Sequence, residues 1–242
     1  ALKRGDIKKG GTLVEATSGN TGIALAFIAK LLGLNMVLIM PENSTVERVK
    51  TMRAYGAEVI LTPSDVGIEG SRDLAFKLRD EKGYVLLNQF ENHDNWQAHY
   101  KTTGPEIWEA TKGEITHFVS AMGTTGTITG VSTYLKEKNA TVTIVGAQPA
   151  DGARIPGIRK WSPEYVPKFF DPNKVDIVVD VTAEEAKVTT IKLAKEEGVF
   201  AGMSSGGSVY CALKIAESID EGVIVAIICD RGDRYLSSTL FE

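Results

Sequence analysis

Leu13-Val14-Glu15-Ala16-Thr17-Ser18-Gly19-Asn20-Thr21-Gly22 is the stretch that decides how this chain folds. Residues suited to a buried strand run straight into a turn of Thr, Ser, Gly and Asn. From Gly22 a dense apolar run then extends to Leu32 and is closed by Gly33. The same grammar recurs twice. Phe118-Val119-Ser120-Ala121 leads to Gly123-Thr124-Thr125-Gly126-Thr127, and Val199-Phe200-Ala201 leads to Gly202-Met203-Ser204-Ser205-Gly206-Gly207. A strand that enters a helix through such a turn directs unpaired backbone N–H groups and the positive end of the helix dipole at one point. Three such junctions imply a pocket for an anionic small molecule, most simply a phosphorylated cofactor.

Working outward, apolar stretches predict strands at 12–16, 36–40, 58–61, 84–87, 116–121, 142–147, 176–181 and 223–228. Several are continuously apolar, as parallel strands covered on both faces require. Helix patterns lie between them at 22–32, 70–82, 131–138 and 208–218. Ser44-Thr45-Val46-Glu47 and Thr182-Ala183-Glu184-Glu185 both have capping-box spacing, so two further helices are expected, ending near Gly56 and Gly198. This alternation predicts an α/β protein with two doubly wound domains and mainly parallel sheets. The polar stretch 89–99 interrupts it and places a domain boundary, giving 1–92 as a smaller and 93–242 as a larger domain. The segment 149–172 lacks periodicity, and a loop of that length is more often functional than not.

The bulk numbers exclude several function classes. With 242 residues, 43% hydrophobic and 24% charged, the chain is an ordinary globular one. Its 27 basic and 31 acidic residues contain no basic run of the nucleic-acid kind. The apolar run 34–40 is too short for a membrane span, and the Ala1-Leu2-Lys3-Arg4-Gly5 start does not read as a signal peptide. Two cysteines, Cys211 and Cys229, make no disulfide framework, so a cytoplasmic setting is expected, with both thiols structural and buried. His93, His99 and His117 show no metal-ligand spacing, and no metal site is expected.

At these motifs the sequence resembles the cysteine synthase (O-acetylserine sulfhydrylase) family of fold-type II pyridoxal 5′-phosphate enzymes, whose fold is tryptophan synthase β-like. The resemblance covers essentially the whole chain. It rests on Glu15-Ala16-Thr17-Ser18-Gly19-Asn20-Thr21-Gly22, Gln89-Phe90-Glu91-Asn92, Thr102-Thr103-Gly104-Pro105-Glu106-Ile107-Trp108, the Gly123 turn and Ser204-Ser205-Gly206. Ile155-Pro156-Gly157-Ile158-Arg159-Lys160-Trp161 and Ile228-Cys229-Asp230-Arg231-Gly232-Asp233-Arg234-Tyr235 are similar to the family's B isozyme rather than its A isozyme. The family's Schiff-base lysine lies in a Gly-Ser-x-Lys-Asp-Arg segment upstream of the Thr17 loop. Lys3, Lys8 and Lys9 do not sit in that context. The resemblance therefore implies a fragment that begins after the lysine, is inactive alone, and offers no catalytic residue of its own.

The resemblance implies a role for each turn. Gly123, Thr124, Thr125, Gly126 and Thr127 would cradle the cofactor phosphate, Asn20 would hydrogen-bond its 3′-oxygen, and Ser204 (or its neighbour Ser205) would face its pyridine nitrogen. Thr17, Ser18, Thr21 and Gln89 would hold the substrate carboxylate. Arg159, Lys160 and Trp161 would recognise the sulfur donor, sulfide or thiosulfate. The implied reaction replaces the β-substituent of O-acetyl-L-serine, giving L-cysteine or S-sulfocysteine in a homodimeric enzyme. Two other readings stay open: a cystathionine β-synthase or serine/threonine dehydratase-like enzyme, and a non-catalytic binder of a phosphorylated ligand.

Overall fold

The computed structural model describes every residue but Ser18. Among them the strands are β1 (Thr12–Ala16), β2 (Asn35–Pro41), β3 (Glu58–Thr62), β4 (Val85–Leu86), β5 (His117–Ala121), β6 (Thr143–Pro149), β7 (Ile177–Val181) and β8 (Ile224–Ala226). The helices are α1 (Asn20–Leu31), α2 (Val46–Ala54), α3 (Gly67–Lys82), α4 (His93–Lys101), α5 (Thr103–Ala110), α6 (Gly126–Lys138), α7 (Ala183–Glu196) and α8 (Met203–Ala216). No described helix is long and apolar enough to cross a membrane.

The chain divides into two compact units. The first holds Ala1–Gln89 together with Arg234–Thr239, and the second holds Phe90–Asp233 together with Leu240–Glu242. The division thus falls after Gln89 rather than after 92, and a short C-terminal segment returns to the first unit. The first unit carries a parallel sheet in the order β3-β2-β1-β4, the second a parallel sheet in the order β7-β6-β5-β8. This is the doubly wound α/β architecture that the alternating pattern predicts.

The continuous apolarity of the strands has its expected cause. On β5, Phe118 packs with Ile128, Val131 and Leu135 of α6, while its neighbour Val119 packs with Cys211 and Ile215 of α8. Ile144 and Val145 on β6 divide in the same way. All four residues are fully buried. Successive side chains leave a strand on opposite faces, so a sheet covered on both needs apolar residues at both parities.

Three expectations need correction. The polar stretch 89–99, where the two units do divide, is not a break in the helices: it runs into α4, and α5 follows. Asn92 is the N-cap of α4, its side chain accepting from the backbone N–H of Asp94, so the polarity marks a helix start. The capping box expected at Ser44 does not form. Thr45 is the N-cap of α2 without a side-chain cap, and the Glu47 carboxylate instead accepts from the N–H and hydroxyl of Ser237, at 2.6 and 2.7 Å. The box at Thr182 and Glu185 does form.

The third concerns the turn read at 202–207, which is helical from Met203 onward. Gly206 is there for close packing between α7 and α8. A Cβ on it would lie 2.1 Å from Thr190 Oγ1 and 2.3 Å from the backbone oxygen of Ala186. Gly206→Ala should therefore destabilise the second unit by about 2 kcal/mol or more, as overpacking does when backbone must move. Removing the Thr190 hydroxyl should not rescue it, because the Ala186 carbonyl remains. Urea unfolding of the single and double variants would check this.

Candidate active site

In each sheet the chain order reverses beside one strand, between β1 and β4 and between β5 and β8. Crevices at such reversals, beyond the carboxyl ends of the strands, are where open α/β sheets bind ligands. The Thr17 loop leaves the end of β1 and the Gly123 turn leaves the end of β5. Two of the three sequence-predicted turns thus sit at switch points.

The helices that follow the predicted turns share a property the others lack. The first turns of α2, α3, α4, α5 and α7 carry Glu47, Glu69, Asp94, Glu106, and Glu184 with Glu185. Those of α1, α6 and α8 carry no acidic residue, and their N-caps make no side-chain cap hydrogen bond. An acidic side chain in the first turn offsets the helix dipole. In these three no first-turn acidic side chain offsets the positive end.

At α6 the N-cap is Thr125, held at φ 65° although it is β-branched. That left-handed conformation is costly for such a residue and is found where a site imposes it. Two residues on one face of α4 brace the turn. Asn95 Nδ2 donates to Thr124 Oγ1 at 3.2 Å, and His99 Nε2 lies 3.3 Å from Thr127 Oγ1. His99 Nδ1 lies 3.0 Å from Thr103 Oγ1, and burial holds the imidazole below its ordinary pKa, which keeps it neutral. Sequence reasoning missed Asn95 and His99; their four-residue spacing would have revealed a shared face once α4 was recognised.

The irregular 155–161 segment packs on the same turn. Arg159 N–H donates to the Met122 carbonyl at 2.7 Å, and Trp161 Nε1 donates to the Gly123 carbonyl, also at 2.7 Å. Gly157 has φ 88°, and a Cβ there would lie 3.0 Å from Ser204 Cβ, so only glycine fits. The second unit therefore brings Gly123, Trp161, Arg159 and Ser204 together. Ser204 is buried, and Ser205 Oγ accepts the backbone N–H of Cys229 at 2.9 Å.

Lys160 does not join them. It is exposed and paired with Asp151 at 2.6 Å, which raises its pKa through that hydrogen bond and charge. The Arg159 guanidinium lies against the Ile158 and Ile155 carbonyls, at 3.1 and 3.4 Å. Cys211 is buried, and its thiol is pushed up to about 12 by that burial. Cys229 is solvent-exposed, contrary to expectation. The atoms packed around its thiol still desolvate the thiolate and push it up to about 11, so it is no ready nucleophile.

In the first unit, Thr17 is buried and its Oγ1 accepts from Gly19 N–H at 3.3 Å. Asn20 opens α1 with its side chain exposed, and Thr21 follows half-buried. Gln89 Nε2 donates to the Ala16 carbonyl at 2.6 Å, tying it to the Thr17 loop. Ser18 lies outside the described residues.

Residues 1–230 match the family model described as pyridoxal-phosphate dependent enzyme. The chain belongs to that family. It is 59% identical over 239 residues to cysteine synthase B of Pseudomonas aeruginosa, covering 99% of this chain and 80% of that protein. It is 57% identical over 241 residues to cysteine synthase B of Escherichia coli, covering all of this chain and 80% of that one. Among solved structures, an O-ureido-L-serine synthase superposes with a TM-score of 0.92 at 38% identity, over 100% of this chain and 79% of the other. The cysteine synthase of Entamoeba histolytica gives 0.91 at 36% identity, over 100% and 74%. The resemblance to cysteine synthases is thereby established across the chain.

As a member of a pyridoxal-phosphate family, the chain can be tested for fit to that cofactor. A phosphate monoester dianion asks for backbone N–H groups, hydroxyls and no competing carboxylate. The first turn of α6 offers the N–H groups of a helix start, the Thr124 and Thr127 hydroxyls and no acid. The donor set fits.

One further group went unread in the sequence. Glu15 on β1 is fully buried, its carboxylate accepting from Ala16 N at 3.1 Å and Gln89 N at 3.3 Å. Burial pushes it up to about 8 despite those bonds and the charge of Arg72. The folded state thus keeps a proton that the unfolded chain has released, and stability falls as pH rises from about 5 to about 8, by at most about 1.4 kcal/mol per unit. Glu15→Gln should remove that part of the slope in urea unfolding across this range.

Proposed function

We propose that this protein forms L-cysteine from O-acetyl-L-serine and sulfide, using pyridoxal phosphate. The observation that carries the reading is the set of three acid-free helix starts, on exactly those helices whose entry turns match the cysteine synthase motifs. The cofactor, when bound, supplies the electron sink through which an amino acid can lose its α-proton and its β-substituent. The 123–127 turn holds the phosphate. Ser204 orients the pyridine nitrogen through a hydroxyl, which cannot protonate it as a carboxylic acid would; that restraint suits acetate, a leaving group that departs readily. Ser205 accepts the Cys229 backbone N–H and remains the adjacent alternative. Asn20 fixes the 3′-oxygen side without adding charge. Thr17, Ser18, Thr21 and Gln89 receive the substrate carboxylate at the start of α1.

Thiosulfate is proposed as a second sulfur donor. Its sulfonate needs a fixed positive charge, and Arg159, pinned against its own loop beside Trp161, supplies one. Lys160, bound to Asp151, drops out of that role. We also assign the protein to a homodimer, supported by the exposed apolar residues Phe27, Ile28, Leu31 and Leu32 on and just after α1; sedimentation velocity tests it.

Replacing Thr124 and Thr127 together by alanine should weaken pyridoxal phosphate binding by about tenfold or more, as the loss of hydrogen bonds to a charged group predicts. Equilibrium dialysis reads this, and unchanged affinity would remove the basis for the phosphate assignment. Measured where the lysine-bearing segment that the resemblance implies is present, Arg159→Ala should lower turnover with thiosulfate about tenfold more than turnover with sulfide. Lys160→Ala should leave that ratio unchanged. Steady-state rates with the two donors decide between them, and an equal response to both variants would refute the division.

A further inference from the structure

The Arg234–Thr239 segment, which follows the second unit in sequence but packs in the first, is clamped at several points. Tyr235 is buried; its hydroxyl accepts from Arg48 Nη2 at 2.7 Å, and the Arg48 guanidinium lies 4.7 Å over its ring. Ser237 donates twice to Glu47, and Ser238 Oγ donates to the Tyr235 carbonyl at 2.6 Å. Both Arg48 and Glu47 belong to α2. This clamp gives Arg234 a fixed backbone. From there its Nη1 donates to Oδ1 of Asn20, the first residue of α1.

An asparagine amide has two ends of nearly equal size, so packing cannot choose between them; only hydrogen-bond partners can. Asn20 is exposed. A guanidinium has donors and no acceptor. It can bind only the oxygen end, so the amide presents Nδ2, its donor end, on the side away from Arg234. We propose that Arg234 is a positioning residue that selects the donor face of Asn20 for an electron-rich oxygen of the bound cofactor. The inference rests on the cofactor reading given above. It adds a role for Arg234, a group whose own side chain need not touch the ligand.

The test uses three replacements of Arg234 that differ in hydrogen-bond sense. Arg234→Lys keeps donors only, Arg234→Met keeps bulk alone, and Arg234→Glu offers an acceptor and should turn the amide over. Each is made alone and with Asn20→Ala. Pyridoxal phosphate affinity by equilibrium dialysis should follow Lys, then Met, then Glu, with at least about tenfold between the extremes. The visible absorption band of the bound cofactor should move in the same order. In the Asn20→Ala background that span should collapse, because the intermediary is gone. A span that survives there would mean Arg234 acts through general electrostatics, and would overturn the proposal. So would equal affinity for the Lys and Glu variants.

The side-chain amide resonance of Asn20 reads the orientation without any cofactor. It should keep its position in Arg234→Lys and shift downfield in Arg234→Glu, where the N–H group meets a carboxylate. Failure of the unmodified protein to take up pyridoxal phosphate would defeat the functional reading while the resonance still judged the orientation. An unmoved resonance in Arg234→Glu would defeat the orientation alone.

Discussion

A helix that starts at the end of a buried parallel strand has N–H groups that no carbonyl of its own can satisfy. Five of the eight described helices carry an acidic residue in the first turn, which offsets the helix dipole, and α7 closes a full capping box. Three carry none, and they are the helices entered by the turns proposed to hold cofactor and substrate. Where the sheets reverse order, α1 and α6 start without a first-turn acid among the described residues, and neighbouring groups hold the turns that lead into them. Thr125 is held in a strained conformation, Asn95 and His99 hold the threonine hydroxyls, and Trp161 ties down the Gly123 carbonyl. The buried, neutral Glu15 and Gln89 do the same for the backbone leading out of β1.

Much of the fold was legible because its signals are local. Each strand was announced by a short apolar run, and helix ends by glycine or by the Thr182 box. The polar stretch after Gln89 does hold the division between the units, yet its helix went unread because Asn92 and Asp94 look alike whether they terminate order or begin a helix; only the accepted N–H of Asp94 tells which. Glu47 misled for the opposite reason. Its spacing from Ser44 is right for a local bond, yet a pair of donors on Ser237, 190 residues away in sequence, takes its carboxylate. Local rules have no access to a competitor that distant.

The candidate site divides along the same line. The turn residues were visible because glycines and hydroxyls at a strand–helix junction have few other uses. The pairing of Lys160 with Asp151 was hidden, because a charge beside a loop looks available until the fold sets its partner next to it. Gly206, read as part of a turn, is explained by Ala186 and Thr190 on another helix, and the bracing by Asn95 and His99 appears only when α4 is seen against α6. What sequence hides is the second partner in each of these pairs.

The returning segment bears on how the protein is made. Tyr235 joins Arg48 across 187 residues of chain, and Ser237 joins Glu47 across 190. A ribosome emits the first unit's sheet and helices long before it emits the residues that close over α2. Such distant pairings carry a large loop-closure cost and slow the final step of folding. During synthesis the first unit waits with Arg48 and Glu47 unanswered while the whole second unit is translated. Residues 234–239, rather than the first hydrophobic core formed, close over α2.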